Sequence, residues 1–356
     1  MRLAALLTLA LAAPALAEVT DRVSLTLGAL ADGCDRIVLA RVVSLEQERV
    51  QLEVLDVLKG RPTPIPSLAR GDVSWRGEEL ALLFLDEAPD GTPAPPRTAW
   101  HKLSAPDPAT RDHLLEVVRG RLPTIGGDPT RLRGALFAQL ASPVARVRED
   151  AALELLGWRE LAPEPADRVA LRAALEREPA RPELLELAAR LPEPGLLAPA
   201  LAAGRGARDA RTRLLAAEAL RAIDEAGALA ALASDLRGDQ RQAASAAARL
   251  VGALGGPAAE RLLAAALSDP RPEVRRGALA GLGEAARRGL SDPAPLLSLA
   301  RGPEREAARK AIAALARAAD GASLRQLETS LQDPELRGLV ARLRAEPTAA
   351  QELLGE

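Results

Sequence analysis

The stretch Asp269-Pro270-Arg271-Pro272-Glu273-Val274-Arg275-Arg276-Gly277-Ala278-Leu279-Ala280-Gly281-Leu282-Gly283 decides the fold. A proline-bearing turn leads into a run in which Val274, Ala278 and Leu282 recur at i, i+4 and i+8, the spacing of one face of a helix. The pattern returns as Ser142, Pro143, Val147, Arg148, Ala151 and Leu155, and again as Thr212, Arg213, Ala216 and Leu220. Self-similarity at such a period predicts stacked helix pairs, a solenoid in which each pair buries its apolar face on its neighbours.

Working outward, turn positions fall near residues 142, 178, 207, 235, 269, 299 and 331, which predicts seven repeats. Arg occupies the sixth position after the turn at Arg148, Arg213, Arg241, Arg275 and Arg305, with Leu184 in its place in the second repeat. Around the best repeat, Glu260 to Leu267 reads as a first helix and Pro272 to Arg288 as a second. Pro272 is tolerated where a first-turn N–H has no partner to lose. Ala278 is small because two helices must approach closely there. Residues 131–350 therefore resemble HEAT repeats, in which a first helix and a tight turn precede a second helix carrying Val-Arg and small residues. The resemblance implies an α-solenoid. It also implies that the arginine ladder ties each turn to acids or carbonyls of the adjacent repeat; the alternative reading is a row of guanidinium forks aimed at carboxylates or phosphates of a ligand.

Residues 18–104 read differently. Arg36 to Ser44 is β-branched, and Arg49 to Leu58 opens in period-two alternation at Val50, Leu52 and Val54, so one face is buried. Lys59-Gly60 ends that strand, and Pro62, Pro64 and Pro66 forbid its continuation in a sheet interior. Glu79 to Leu85 is apolar throughout and reads as a central strand. Three segments, Ile37 to Val43, Val54 to Gly60 and Gly77 to Leu85, resemble the small secreted OB-like barrels of the netrin or metalloproteinase-inhibitor type. In such inhibitors an N-terminal Cys, locked by disulfides, reaches the target's zinc. Here the expected first residue is Glu18 and Cys34 is the one cysteine, so that mechanism does not carry over. Residues 105–130 read as a connecting helix, Ala109 to Val118, and a linker broken by Pro123, Gly126, Gly127 and Asp128-Pro129. The fold class expected is thus multi-domain α and β: a small β-barrel-like domain followed by a HEAT-like α-solenoid.

The beginning of the chain has the form of a signal peptide over residues 1–17. Arg2 is basic, Leu3 to Leu11 is a short apolar run, and Ala15-Leu16-Ala17 meets the small-x-small cleavage rule. The expectation is export to the periplasm or beyond, with no later segment apolar for the ~20 residues of a membrane span. A single cysteine cannot form a disulfide within the chain, and Cys34 is expected to be buried.

The net charge of −2 offers no basic footprint for nucleic acid. Only Lys59, Lys102 and Lys310 are lysines among 47 basic residues, and Asn and Tyr are absent. A GC-rich bacterial genome accounts for that bias. His101 and His113 stand apart, without the ligand spacing of a zinc site. Gly255-Gly256 and Gly126-Gly127 read as turns rather than phosphate loops, and Trp75 and Trp158 as packing residues. No catalytic, cofactor or metal residue is assigned.

The function expected is that of a non-enzymatic scaffold or adaptor holding a protein partner on the solenoid. The outward residues Arg276, Ala280, Glu284 and Arg287 of the best repeat are the candidate contacts. Two alternatives stand beside it. One is a secreted inhibitor or regulator acting through the β-domain. The other is a lyase of the kind some HEAT-like families contain, against which the scarcity of His, Tyr and Asn argues.

Overall fold

The structure is a computed structural model. It describes residues 26–62, 64–70, 74–88, 92–94, 102–105, 107–124, 129–158, 160, 162–290, 292–318, 320–350 and 353. The expected signal peptide, residues 1–17, and Trp100, His101 and Gly126-Gly127 of the expected linker lie outside the described residues. The chain divides into two compact units, with the division between Leu132 and Arg133.

The N-terminal unit is an antiparallel sheet with helices. Its elements are α1 (Leu27–Gly33), β1 (Arg36–Leu45), β2 (Arg49–Lys59), β3 (Ser67–Ala69), β4 (Leu80–Glu87), β5 (Pro93–Ala94), β6 (Lys102–Ala105) and α2 (Pro108–Arg121). The strand order is β3-β2-β1-β4, with β5 and β6 sharing the far edge of β4 at its two ends. β1 and β4 are interior, as the apolar run of β4 predicts. The proline segment gives way to the three-residue edge strand β3. The expected barrel closure is not among the pairings of the described residues: the path runs from one edge to the other.

Alternation sorts the side chains. Val38, Ala40 and Val42 of β1, Val50 and Leu52 of β2 and Ala81, Leu83 and Leu85 of β4 form one core with Ile65, Leu68 and Trp75. Ile37, Leu39, Leu82 and Phe84 are buried from the opposite face. Glu79 and the buried Lys102 form an ion pair below the Trp75 ring, which lies 4.8 Å from the ammonium and holds β6 beside β4.

One helix falls where strands are expected. Leu27, Leu30 and Ala31 have helical spacing, and the Thr26 hydroxyl accepts from the Ala29 N–H at 3.1 Å as an N-cap, so α1 forms. Lys59 donates to the carbonyls of Ala31 at 2.8 Å and Cys34, supplying donors that the end of α1 lacks. Cys34 is buried. Its desolvation raises the thiol pKa against the opposing pull of Lys59.

The second unit is helical. α3 (Pro129–Gln139) and α4 (Ala145–Gly157) form the first pair, and α5 (Pro165–Arg177) with α6 (Pro182–Arg190) the second. α7 (Leu197–Gly206) pairs with the first half of α8 (Ala210–Arg237), which breaks at Asp224. Its second half pairs with α9 (Arg241–Leu254). Then come α10 (Gly256–Ala266) with α11 (Pro272–Arg287), α12 (Ala294–Ala300) with α13 (Arg305–Arg317), and α14 (Gly321–Ser330) with α15 (Pro334–Ala345). Counting α8 as two halves, the described residues hold seven pairs. The second helices α4, α6, α8, α9, α11, α13 and α15 contact one another in that order, so they form a row.

Their shared face is made of small residues. Ala244, Ala247, Ala248, Ala278, Ala311 and Ala314 are all buried. The tightest approach is through glycine: a Cβ on Gly252 would sit 2.2 Å from Gly281 Cα, and one on Gly277 would sit 2.6 Å from the Ser245 carbonyl. The Gly255-Gly256 turn between α9 and α10 has φ of +67° and +83°, the left-handed region that favours glycine.

Two predictions follow from this packing. Gly252→Ala forces α9 and α11 apart and costs roughly 1–3 kcal/mol, the usual range for overpacking; thermal unfolding by circular dichroism measures it, and an unchanged melting temperature contradicts it. The second concerns Asp209, the N-cap of α8, which accepts from the Thr212 N–H at 2.8 Å and the Thr212 hydroxyl at 2.9 Å. These bonds favour the ionised carboxyl and lower its pKa. A depressed folded pKa means a contribution fully present above the ordinary Asp value of about 3.9 and lost as pH falls through the folded value. Asp209→Ala therefore costs roughly 0.5–2 kcal/mol at neutral pH. In denaturant titrations the deficit relative to the wild-type chain shrinks below that pH, and a deficit constant with pH excludes this origin.

Candidate functional site

Each candidate residue is placed by the row of second helices. The arginine ladder occupies two positions, not one. Arg148, Arg213 and Arg275 directly follow the buried residues Val147, Thr212 and Val274. Arg241 and Arg305 instead open α9 and α13, three residues before the corresponding buried Ala244 and Ala308. Leu184, aligned by sequence with the arginines, is itself buried and sits where Val147 and Val274 do. Counting from turns of unequal length shifted the register; counting from the buried residue removes the shift.

The ladder residues also differ in what they touch. Arg148 donates to the Ser142 and Pro143 carbonyls at 2.8 and 2.9 Å and pairs with Glu178 of the next helix pair. Arg275 donates to the Asp269 and Pro270 carbonyls at 2.9 and 3.0 Å, the same contacts on its own turn. Arg305 pairs with Asp333 at 3.2 Å and Glu335 at 2.6 Å, both from the last pair. These are structural ties. Arg213 makes none of them.

The outward residues of α11 separate in the same way. Glu284 and Arg287 form an ion pair with each other at 2.6 Å, so each neutralises the other. Arg276 is exposed and has no ion-pair partner among the described residues. With Ala280 it lines a cavity of about 390 Å³ whose walls come from successive second helices. Among the described residues the cations there are Arg205, Arg213 of α8, Arg249 of α9, Arg276 of α11 and Lys310 of α13, against the single carboxylate Glu273. Arg205 is paired with Asp235 at 2.7 Å and Lys310 with Glu306. Arg213, Arg249 and Arg276 have no ion pair or side-chain hydrogen bond among the described residues. Desolvation first, and then the charge of Arg249, lowers the pKa of Arg213, with Glu284 and Asp209 opposing. A desolvated guanidinium facing another guanidinium creates a demand for a negative group.

The sequence reading identified Arg276 and Ala280 but missed Arg249 and Lys310. A signal for Lys310 was present: aligned on the buried residue, Arg276 stands two positions after Val274 and Lys310 two after Ala308.

Trp75 is buried and donates its indole N–H to the Arg70 carbonyl at 2.9 Å, a packing role, and Trp158 is half-buried at the end of α4. His113 lies on α2, 4.0 Å from Glu116. Among the described residues, no group of three His, Cys, Asp or Glu could hold a metal ion, and no helix is long and apolar enough to cross a membrane. Neither a scan against protein-family models nor a search of curated proteins finds a match for this chain.

Proposed function

We propose that this chain is an exported, non-enzymatic scaffold or adaptor. Its helical unit is read as a HEAT-like α-solenoid that binds a protein partner on the outer face of its second helices. The observation that carries this is the row itself. Each second helix packs on the next, so the exposed positions of α8, α9, α11 and α13 add into one continuous surface, the device by which repeat arrays hold partners. Export rests on the leader-like residues Arg2, Leu3 to Leu11 and Ala15-Leu16-Ala17, and the bacterial, periplasmic or secreted setting rests on the same leader and on composition. The sheet unit is read as an OB-like accessory module.

A second reading has one observation of its own. Val43, Leu45 and Leu55 of β1 and β2 are exposed apolar side chains, at 55%, 38% and 41%. They favour a regulator that acts through the sheet.

Site-specific photo-crosslinking in the full chain separates the two. A benzophenone amino acid is placed at positions 276 and 280 of α11 and, in separate proteins, at positions 43 and 55 of the sheet. The same crosslinked protein identified by mass spectrometry from 276 and 280, and absent from 43 and 55, is the expected result. Crosslinks from 43 and 55 alone overturn the scaffold reading in favour of the regulator.

A further inference from the structure

We infer that the cavity over α8, α9, α11 and α13 binds the carboxylates of an acidic, leucine-bearing extended segment of the partner protein. The inference rests on the scaffold reading and gives its partner a chemistry.

Charge sets the sign. Of five cations in the cavity, Arg205 and Lys310 are committed to Asp235 and Glu306, and Glu273 offsets one of the other three. Arg213, Arg249 and Arg276, on three consecutive second helices, thus outnumber the carboxylate among the described lining residues, and the lining keeps a net positive charge. Guanidinium forks match carboxylates in two-point geometry, and such charge-assisted pairs are the stronger class of hydrogen bond.

Spacing sets the form of the ligand. Packed helices stand about 8–10 Å apart. An extended chain in the polyproline II form advances about 3.1 Å per residue with three residues per turn, so acidic residues at i and i+3 share a face and are separated by roughly one helix spacing. A chain crossing the row thus brings one carboxylate to each arginine-bearing helix.

A second cavity, of about 280 Å³, adjoins the first and shares Arg276, Leu279 and Lys310 with it. Leu267, Pro272, Leu279 and Leu299 give it an apolar lining, and Glu304 and Glu306 face it with negative charge. With Arg275, Arg276 and Lys310 against those two carboxylates its charges nearly balance, and its leucines and proline accept an apolar side chain. The two cavities together select a segment in which acidic and leucine residues are interspersed.

The test is fluorescence anisotropy with the full chain and a fluorescein-labelled peptide, Glu-Ala-Leu-Glu-Ala-Leu-Glu, beside the same peptide with Gln for each Glu. The acidic peptide is expected to bind, more weakly as salt rises, and about tenfold more weakly to Arg249→Gln and to Arg276→Gln. Both arginines are exposed, and unchanged circular dichroism melting shows the variants folded. Arg301→Gln, outside both cavities, is expected to bind like the wild-type chain. Equal binding of the Gln peptide, equal loss in Arg301→Gln, no loss in Arg249→Gln and Arg276→Gln, or no binding of the acidic peptide each overturns the inference. So does titration of inorganic phosphate onto the same arginines with the peptide excluded. Crosslinks from positions 276 and 280 that persist in the face of such a failure leave the scaffold reading standing, so the two fail separately.

Discussion

The helical unit depends on how closely α9 approaches α11. Where Gly252 meets Gly281 and Gly277 meets Ser245, backbone lies against backbone, and a single methyl group has no room. Dispersion contacts at that distance are many and individually weak, and they hold only if no side chain intervenes. The alanines of α9, α11 and α13 extend the same condition along the row. Close approach is what brings residues of four helices onto one surface. With leucine in place of these glycines, Arg249 and Arg276 would face solvent from separated helices.

Short helices create a second requirement. Each leaves carbonyls at its C-terminus without an intrahelical partner. In this protein, arginines of adjoining pairs supply the donors. Arg177 donates to Leu140 and Ala141 just beyond α3, and Arg190 to Leu156 in the last turn of α4. Arg271 reaches the Leu236 and Gly238 carbonyls at the end of α8, Arg221 the Ala253 and Leu254 carbonyls at the end of α9, and Arg288 that of Ala253. A guanidinium carries five donors in a fixed fork, so one side chain spans two carbonyls where an ammonium would act as a point. The arginine-over-lysine bias, whatever its origin in base composition, suits this end-to-end bonding.

Much of the architecture was legible because it is local. The strands at Arg36 and Arg49 and the helix beginning at Pro272 follow from periodicity, and the turns from proline and glycine. α1 was hidden because seven residues containing Gly28 give too short a run to declare a period; its cap and the Lys59 contacts complete it. The open edges of the sheet are a matter of pairing between distant strands, and no single segment encodes them. The candidate site was half legible. Arg276 projects from the clearest repeat, and its neighbours Glu284 and Arg287 looked equivalent to it along the helix. Their mutual ion pair is a three-dimensional fact: i and i+3 side chains can meet, and only the rotamers decide that they do. Arg249 stands five residues after the buried Ala244, where the clearest repeat has the buried Leu279, so no repeat position marks it.

Exposed arginines without an ion-pair partner among the described residues occur elsewhere in the helical unit, Arg261 and Arg301 among them, and there water and counterions neutralise them at little cost. The position of Arg213 differs. It is half-buried on α8, its charge is desolvated, and the charge nearest in effect is another guanidinium, that of Arg249. A fold that needed only end-to-end ties would gain from a carboxylate at this point, as it has at Glu178 between Arg148 and Arg181. Among the described residues Glu273 is the one acid lining the cavity, beside three cations without an ion-pair partner. Composition can scatter arginines along every helix, but it does not choose which of them converge in excess of their counter-charges. The close packing of α9 on α11 makes that choice. The same small residues that let the row form therefore also concentrate positive charge where the row is exposed.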